Sequence, residues 1–391
     1  MKKRFLPVMM GTLVLVISCM LGNESSDLDG SSTCEPLYVR EKAVLSTQPY
    51  IGTNFTHYGD QLEGYSILQN YHQHDVCGKV QNQLVTMRSR GAQTIRILIW
   101  HYDATEAQNW GVIPHRLASG EIGIPEPYRT NLIRYLQDID SAGYARVIIG
   151  FAPMADNNPF QDWQNCQADY FDAGDPDYFE QNWEFIQVVR ELAVTHGPDE
   201  VRFDLLNEGV PNEWLDLSCE GGKSTRAQVK QYGSDMLQAF FAGYGEGDAT
   251  ISAITSARVV CPTASTYTTD VLEGSFQDLL DMHGSYSPGW FALHMYGADD
   301  PNCAEEQELE VVYQSLLAAD AFFDGDNAAV PFVIQETYHN NSVVASKIEQ
   351  FIGDGSGRGI QEVISWPHTQ GSSIHIDVVP PYVFDEYRSL Q

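Results

Sequence analysis

Two short apolar stretches of the sequence are typical of buried strands: FDLLNEG at residues 203–209 and FVIQETY at residues 332–338. Apolar runs of this length are typical of buried strands in a parallel sheet that is covered on both faces. The first run ends at Glu208 and the second at Glu336. Because α/β barrels carry their active-site residues at the C-terminal ends of parallel strands, we expect both glutamates at one rim of a barrel.

Strand-like and helix-like segments alternate along the rest of the chain, which is the pattern of a parallel sheet with crossover helices. Two of the predicted strands, at 203–208 and 330–336, contain most of the two stretches above. The other strands are predicted at 49–55, 94–100, 146–151, 250–256, 289–296 and 359–366. Helices are predicted at 81–90, 128–142, 178–196, 225–242, 276–282, 305–323, 342–353 and 381–390. The sequence therefore predicts an α/β fold, a single (β/α)8 TIM barrel over residues 44–391.

The N-terminal segment has the pattern of an export signal. Residues 1–22 combine a basic start, an apolar stretch and Cys19 in a lipobox-like context, which predicts a lipoprotein-type signal peptide with Cys19 as the lipidated residue. The alternative is a soluble secreted protein that is cleaved elsewhere. Residues 23–43 are rich in glycine, serine and aspartate at their start and are predicted to be a flexible tether. We therefore expect an exported protein, on the bacterial cell surface or outer membrane or else secreted, that meets the membrane only through its lipid anchor.

The charge of the chain excludes some classes of partner. There are 53 Asp and Glu residues against 22 Lys and Arg residues, a formal net charge of −31. A surface of this sign repels phosphate backbones and anionic lipids, so we expect no nucleic-acid partner and no polyanionic substrate.

Six cysteines follow Cys19, and an even number in an exported chain favours disulfide bonds. They lack the tight spacing of zinc sites. Because successive βα loops are neighbours on one rim of a barrel, the topology brings consecutive cysteines within disulfide reach. The predicted pairs are Cys34–Cys77, Cys166–Cys219 and Cys261–Cys303. The alternative is that some of these residues are free, buried thiols.

Two carboxylates that face one cleft are the minimum equipment for hydrolysing a glycosidic bond. Asn207-Glu208, Glu336, the triplet His294-Met295-Tyr296 and Trp366 stand, in order, at predicted strand ends. On these residues the chain resembles the clan A glycoside hydrolases, the retaining (β/α)8 enzymes that include the cellulase-like family 5. It departs from family 5 at Gly209, where that family usually has proline, and in GFAP at residues 150–153, where a histidine is usual. The resemblance is therefore to the clan rather than to that one family.

The resemblance implies roles for individual residues. Glu208 would be the general acid/base and Glu336 the nucleophile of a double displacement. The sugar-site residues that it implies are Asn207, Tyr296, His294, Trp366 and Arg96. Trp100 and Trp163, which lie near predicted strand ends, are further candidates for stacking against sugar rings.

We therefore expect a monomeric retaining glycoside hydrolase that cleaves β-glycosidic bonds of a neutral poly- or oligosaccharide without a cofactor or metal. The first alternative is a non-catalytic, glycan-binding surface lipoprotein on a glycosidase-like barrel. The second is a metal-dependent barrel hydrolase that uses His57, His101 and His294. It is disfavoured because no strand end offers a His-x-His pair or clustered aspartates.

Overall fold

The computed structural model describes residues 35–37, 41–42, 48–56, 66–107, 112–152, 174–210, 225–245, 247–254, 269–295, 305–323, 329–354, 358–366 and 384–391. The predicted signal peptide, Cys19 and most of the predicted tether lie outside these residues and stay predictions. None of the described helices is both long enough and apolar enough to span a lipid bilayer.

One parallel sheet forms the centre of the molecule. Its strands are β1 (Tyr50–Asn54), β2 (Thr94–Tyr102), β3 (Ile113–Pro114), β4 (Arg146–Ala152), β5 (Glu200–Asp204), β6 (Ala249–Thr250), β7 (Ser252–Ile254), β8 (Phe291–His294), β9 (Phe332–Glu336) and β10 (Ile360–Ser365). The strand order is β6-β5-β4-β2-β1-β10-β9-β8-β7, and β3 pairs with the end of β2. Only Ile251 separates β6, which pairs with β5, from β7, which pairs with β8. The sheet thus returns to its own edge as a nearly closed barrel, and the predicted fold is confirmed.

Helices follow the strands and cover the outside of the sheet. They are α1 (Ile67–Asn70), α2 (His74–Ser89), α3 (Tyr128–Ser141), α4 (Pro176–His196), α5 (Arg226–Tyr244), α6 (Thr269–His283), α7 (Glu305–Phe322), α8 (Ser342–Gly353) and α9 (Asp385–Arg388). Local chemistry sets several of these ends. Thr225 is the N-cap of α5 and forms a capping box with Gln228. At the start of α8 the Asn341 side chain accepts hydrogen bonds from two backbone N–H groups. Gly143, with a φ of 86°, follows α3 in the left-handed conformation that glycine adopts most readily.

The apolar core has two parts, because alternate residues of each strand point to opposite faces of the sheet. The larger part lies between the sheet and the helices. The smaller part fills the barrel interior and consists of Ile148, Trp290, Ala292, Val333 and Ile364. The interior of the described barrel is therefore a packed core, and any open cleft has to lie at a rim.

Buried ion pairs lie towards the N-terminal end of the barrel. Arg146 is bonded to Glu362 at 2.6 Å and to Glu200 at 2.7 Å. The Arg202 guanidinium lies 4.6 Å from the centre of the Trp290 ring. These contacts lie at the opposite end of the strands from Glu336, which is the last residue of β9.

Several predicted boundaries were wrong. Helix α6 begins at Thr269 rather than at 276, because Gly274 lowers the local helix propensity and hides the start. The closing helix is a single turn, Asp385–Arg388, within the described part of the predicted segment. The fourth predicted strand ends at Asp204, four residues before Glu208. That early end shapes the site described below.

The described residues of the predicted tether contact the barrel. The Leu37 N–H donates to Asp138 at 3.3 Å, and the Lys42 ammonium pairs with Asp199 at 2.9 Å and with Asp140 at 3.1 Å.

Candidate active site

Glu336 ends β9 and is 4% exposed. Its main-chain carbonyl accepts a hydrogen bond from the Met295 N–H at 2.8 Å, and one of its carboxylate oxygens accepts from Arg96 at 2.6 Å. The carboxylate is therefore held both through its backbone and through a charge-assisted hydrogen bond.

Glu208 lies in a turn after β5 and is 5% exposed. Its φ is 53°, in the left-handed region that non-glycine residues seldom adopt. The turn closes through a hydrogen bond from the Gly209 N–H to the Leu206 carbonyl at 3.1 Å. A Cβ at position 209 would lie 2.1 Å from Cγ of Leu206, so this turn requires a glycine where family 5 usually has proline.

Arg96 is fully buried on β2 and joins four side chains. Its Nη1 donates to Asn54 at 3.0 Å and to Glu336 at 2.6 Å, while its Nη2 donates to Asp204 at 3.1 Å and to Asn207. Burial alone would lower the pKa of Arg96, but the Glu336 and Asp204 carboxylates outweigh this effect and the pKa is raised above its ordinary value. The guanidinium is therefore a permanent positive charge beside Glu336.

His294 ends β8 and is fully buried. Its Nδ1 lies 2.8 Å from Oε1 of Glu208 and 3.6 Å from Oε2 of Glu336. Burial lowers the pKa of His294 to about 4, although Glu336 acts in the opposite direction. The imidazole is therefore neutral at neutral pH and lies between the two carboxyl groups.

The two glutamates lie close together, as the sequence predicted for one rim of a barrel. One oxygen of Glu208, one of Glu336 and a ring nitrogen of His294 all lie within 4.8 Å of one another. Two carboxylates and an imidazole are also a donor set that divalent cations accept. However, the Arg96 guanidinium already neutralises Glu336, and its positive charge would oppose a cation there.

Other predicted site residues surround this group. Asn207 directly precedes Glu208, and its side-chain oxygen accepts from Arg96. Trp366 follows β10 and is 4% exposed, and its main-chain N–H donates to the Thr337 carbonyl at 3.0 Å. Trp100 is half-buried on β2. Tyr296 and Trp163 lie outside the described residues, so their roles stay predictions.

His101 does not join the group that the metal-site alternative required. It is buried, its ring stacks on Phe185 with centroids 4.2 Å apart, and its Nδ1 lies 2.9 Å from Nδ1 of His115. Burial, and then the neighbouring His115, hold the pKa of His101 well below its ordinary value. His101 is therefore part of a neutral, buried histidine pair. His57, the other member of that alternative, lies outside the described residues.

Among the predicted disulfide cysteines, only Cys77 lies within the described residues, where it is disulfide-bonded. The remaining cysteines, Cys34, Cys166, Cys219, Cys261 and Cys303, lie outside those residues. All three pairings therefore stay predictions.

Three buried residues of the site were not predicted from the sequence: Asn54, Asp204 and Ser252. Asp204 could have been predicted as a site residue, because a charged residue inside an apolar strand needs a buried partner. The Asn54 side chain donates to the Gln335 carbonyl at 3.1 Å and ties β1 to the end of β9. Ser252 carries no sequence signal, since its role depends on the turn that contains Glu208.

Comparisons with known proteins support the fold. No protein-family model and no curated protein matches the chain. Among solved structures, GH5_18 from Bifidobacterium longum subsp. longum aligns with a TM-score of 0.55 and 14% identity, covering 88% of this chain and 78% of that one. Another structure of GH5_18 from that organism, in complex with Manb1-4GlcNAc, aligns with a TM-score of 0.54 and 15% identity over 87% of this chain and 76% of that one.

The exo-beta-1,4-mannosidase Op5Man5 from Opitutaceae bacterium strain TAV5 aligns with a TM-score of 0.51 and 16% identity, covering 91% of this chain and 58% of that one. Likeness at this level of identity establishes the fold and leaves activity to be argued from the site. The chain has the (β/α)8 barrel fold that these solved structures share, and this is the fold that its sequence predicted.

Proposed function

We propose that the protein is a retaining glycoside hydrolase that cleaves β-glycosidic bonds of a neutral poly- or oligosaccharide by double displacement. The proposal is based on the close pair of buried carboxyl groups, Glu208 and Glu336. Glu336 is bonded to the guanidinium of Arg96, and Glu208 is bonded to a neutral imidazole.

The separation of the two carboxyl groups supports retention rather than inversion. Retaining enzymes hold their two carboxyl groups about 5–5.5 Å apart, and inverting enzymes about 6.5–9.5 Å apart to leave room for a water molecule. An oxygen of Glu208 lies within 4.8 Å of an oxygen of Glu336. At that separation Glu336 can attack the anomeric carbon while Glu208 protonates the leaving oxygen.

The surrounding charges support the assignment of the two roles. Two ionised carboxylates this close repel each other, so one of them is expected to hold a proton. Arg96 favours the ionised form of Glu336, which suits a nucleophile. Glu208 is bonded to the neutral ring of His294, and an imidazole nitrogen can accept from a carboxylic acid or donate to a carboxylate. That versatility suits a residue that acts first as an acid and then as a base.

Neighbouring side chains supply contacts to a sugar. Because the Asn207 oxygen is occupied by Arg96, its amide nitrogen is available to donate to the 2-hydroxyl, a hydrogen bond that strengthens in the transition state. Trp366 and Trp100 offer aromatic faces near the ends of β10 and β2. Tyr296 and Trp163 complete the proposed site.

The net charge of −31 favours a neutral carbohydrate over a polyanionic one. β-Mannosides are the first substrates to test, because the solved structures of similar fold include an exo-beta-1,4-mannosidase and a complex with Manb1-4GlcNAc. We further infer an exported monomer with a lipid anchor at Cys19, and the pairs Cys34–Cys77, Cys166–Cys219 and Cys261–Cys303. Mass spectrometry of the mature protein and non-reducing peptide mapping test these features.

The proposed function is tested with a panel of aryl β-glycosides, each measured with and without a chelator. We expect chelator-insensitive hydrolysis of at least one glycoside, no turnover by Glu336→Ala, and azide-dependent formation of an inverted glycosyl azide by that variant. Loss of activity with the chelator would instead support a metal-dependent hydrolase. Glycan binding without any turnover would support the non-catalytic alternative.

A further inference from the structure

Glu208 needs a specific interaction to hold its backbone. Within the described part of the chain, Glu208 and Asn340 are the non-glycine residues with positive φ. Asparagine tolerates this conformation through its short polar side chain, but glutamate does not share that advantage. A residue held in a sparsely populated backbone region persists only where the surrounding structure imposes it, and such residues cluster at functional sites.

Ser252 supplies that interaction. The Glu208 N–H donates to Oγ of Ser252 at 2.8 Å, and Ser252 is fully buried at the start of β7. The hydrogen bond replaces the regular strand pairing that ends at Asp204, and it fixes the peptide from which the Glu208 side chain extends.

Asp204 in turn orients Ser252. The Ser252 N–H donates to Oδ1 of Asp204 at 3.1 Å, so the Asp204 carboxylate holds the backbone of Ser252. The Ser252 Oγ has two lone pairs, and one of them accepts the hydrogen bond from the Glu208 N–H. The other oxygen of Asp204 accepts from Arg96 at 3.1 Å, so the same guanidinium holds Glu336 directly and Glu208 through Asp204 and Ser252.

We propose that Ser252 is a positioning residue for the acid/base Glu208 and that Asp204 acts through it. This inference rests on the proposed function, because it assigns Ser252 to the proton-transfer half of that reaction. A small displacement of a catalytic group costs a large part of its contribution, and acid catalysis contributes about 10²- to 10⁴-fold. Loss of the Ser252 hydroxyl should therefore impair the reactions that need a proton from Glu208 and spare those that do not.

The test compares the full chain with Ser252→Ala and Ser252→Cys on two glycosides of the same sugar. A 2,4-dinitrophenyl glycoside leaves without protonation, whereas an unsubstituted phenyl glycoside needs it. We expect kcat/KM for the phenyl substrate to fall about 10-fold or more and kcat/KM for the dinitrophenyl substrate to fall less than about 3-fold. Cysteine keeps the buried volume but is a weak acceptor, so it guards against a packing defect in the alanine variant.

Thr250→Ala is the matched control. Thr250 is a buried hydroxyl residue on the same segment, and it donates to the Trp290 carbonyl at 3.3 Å. We expect this control to leave the ratio of the two kcat/KM values unchanged. Equal losses on both substrates in the Ser252 variants, or no loss on either, would overturn the positioning role. The sugar is one that the wild-type protein hydrolyses in the panel, and a wild-type protein that hydrolyses no glycoside of the panel would instead refute the proposed function.

Discussion

Arg96→Met tests how the site is held together. The substitution keeps an unbranched side chain but removes the guanidinium that bonds both Asp204 and Glu336. Removing one partner of a buried ion pair costs about 3–5 kcal/mol, because it leaves an uncompensated buried charge. A typical domain has a free energy of unfolding of about 5–15 kcal/mol, so we expect a folded but strongly destabilised protein.

The destabilisation caused by Arg96→Met should depend on pH through the pKa of Asp204. Burial raises the pKa of Asp204 above its ordinary value of 3.8, and Arg96 is the main group acting against that rise. A carboxyl group with a raised native pKa contributes stability below its unfolded pKa and loses it as pH rises through the native value. Without Arg96 the native pKa rises further. The destabilisation should therefore be largest at pH 7 and should shrink towards pH 4.

The assay is urea unfolding followed by the fluorescence of the seven tryptophans, at pH 4 and at pH 7. The control is Arg116→Met, because Arg116 pairs with Asp103 at the surface, where an ion pair contributes about 0–1 kcal/mol. A loss below about 1 kcal/mol at pH 7, or the same loss at both pH values, would contradict a stabilising role of the buried Arg96 guanidinium.

Two further predictions concern single buried positions. In Gly150→Ala the new Cβ would lie 2.7 Å from Cδ2 of Leu98 and 3.1 Å from Nη2 of Arg96. We therefore expect the free energy of unfolding in urea to fall by about 1–3 kcal/mol and turnover to decrease. Unchanged stability and activity would contradict this close packing. Burial lowers the pKa of His283 to about 3, and among the described residues neither of its ring nitrogens has a hydrogen-bond partner. A histidine of lowered native pKa contributes stability above its unfolded pKa and loses it as pH falls, by about 2 kcal/mol at pH 5. His283→Leu should remove that loss, and an unfolding free energy that falls from pH 8 to pH 5 as steeply as in the wild type would contradict it.

The barrel was predictable because its signals are local and repeated. The apolar runs that contain Ile148 and Val333 mark strands that are buried on both faces, and Gly143 marks the end of a helix. The glutamate at the end of the second run, Glu336, also falls at the end of its strand, as predicted. Topology then brings it towards Glu208 without any further information about side chains.

The rest of the site depends on contacts between distant segments. The early end of β5 follows from the bonds of Asp204 to Arg96 and Ser252, which lie 108 and 48 residues away along the chain. Neither partner is visible from the apolar pattern around Asp204. The backbone turn at Glu208 has the same origin, and this is why a strand that continues to Glu208 was the wrong prediction.

Covalent trapping tests directly whether Glu336 is the nucleophile. The protein is incubated with the 2,4-dinitrophenyl 2-deoxy-2-fluoro-β-glycoside of the sugar that the panel identifies, because the fluorine slows both steps and the good leaving group lets the glycosyl-enzyme accumulate. Intact-mass measurement and peptide mapping should show one added sugar, bonded to Glu336, and Glu336→Gln should gain none. A sugar bonded to another residue, or turnover with an inverted product and no covalent adduct, would contradict the assignment of Glu336 as the nucleophile.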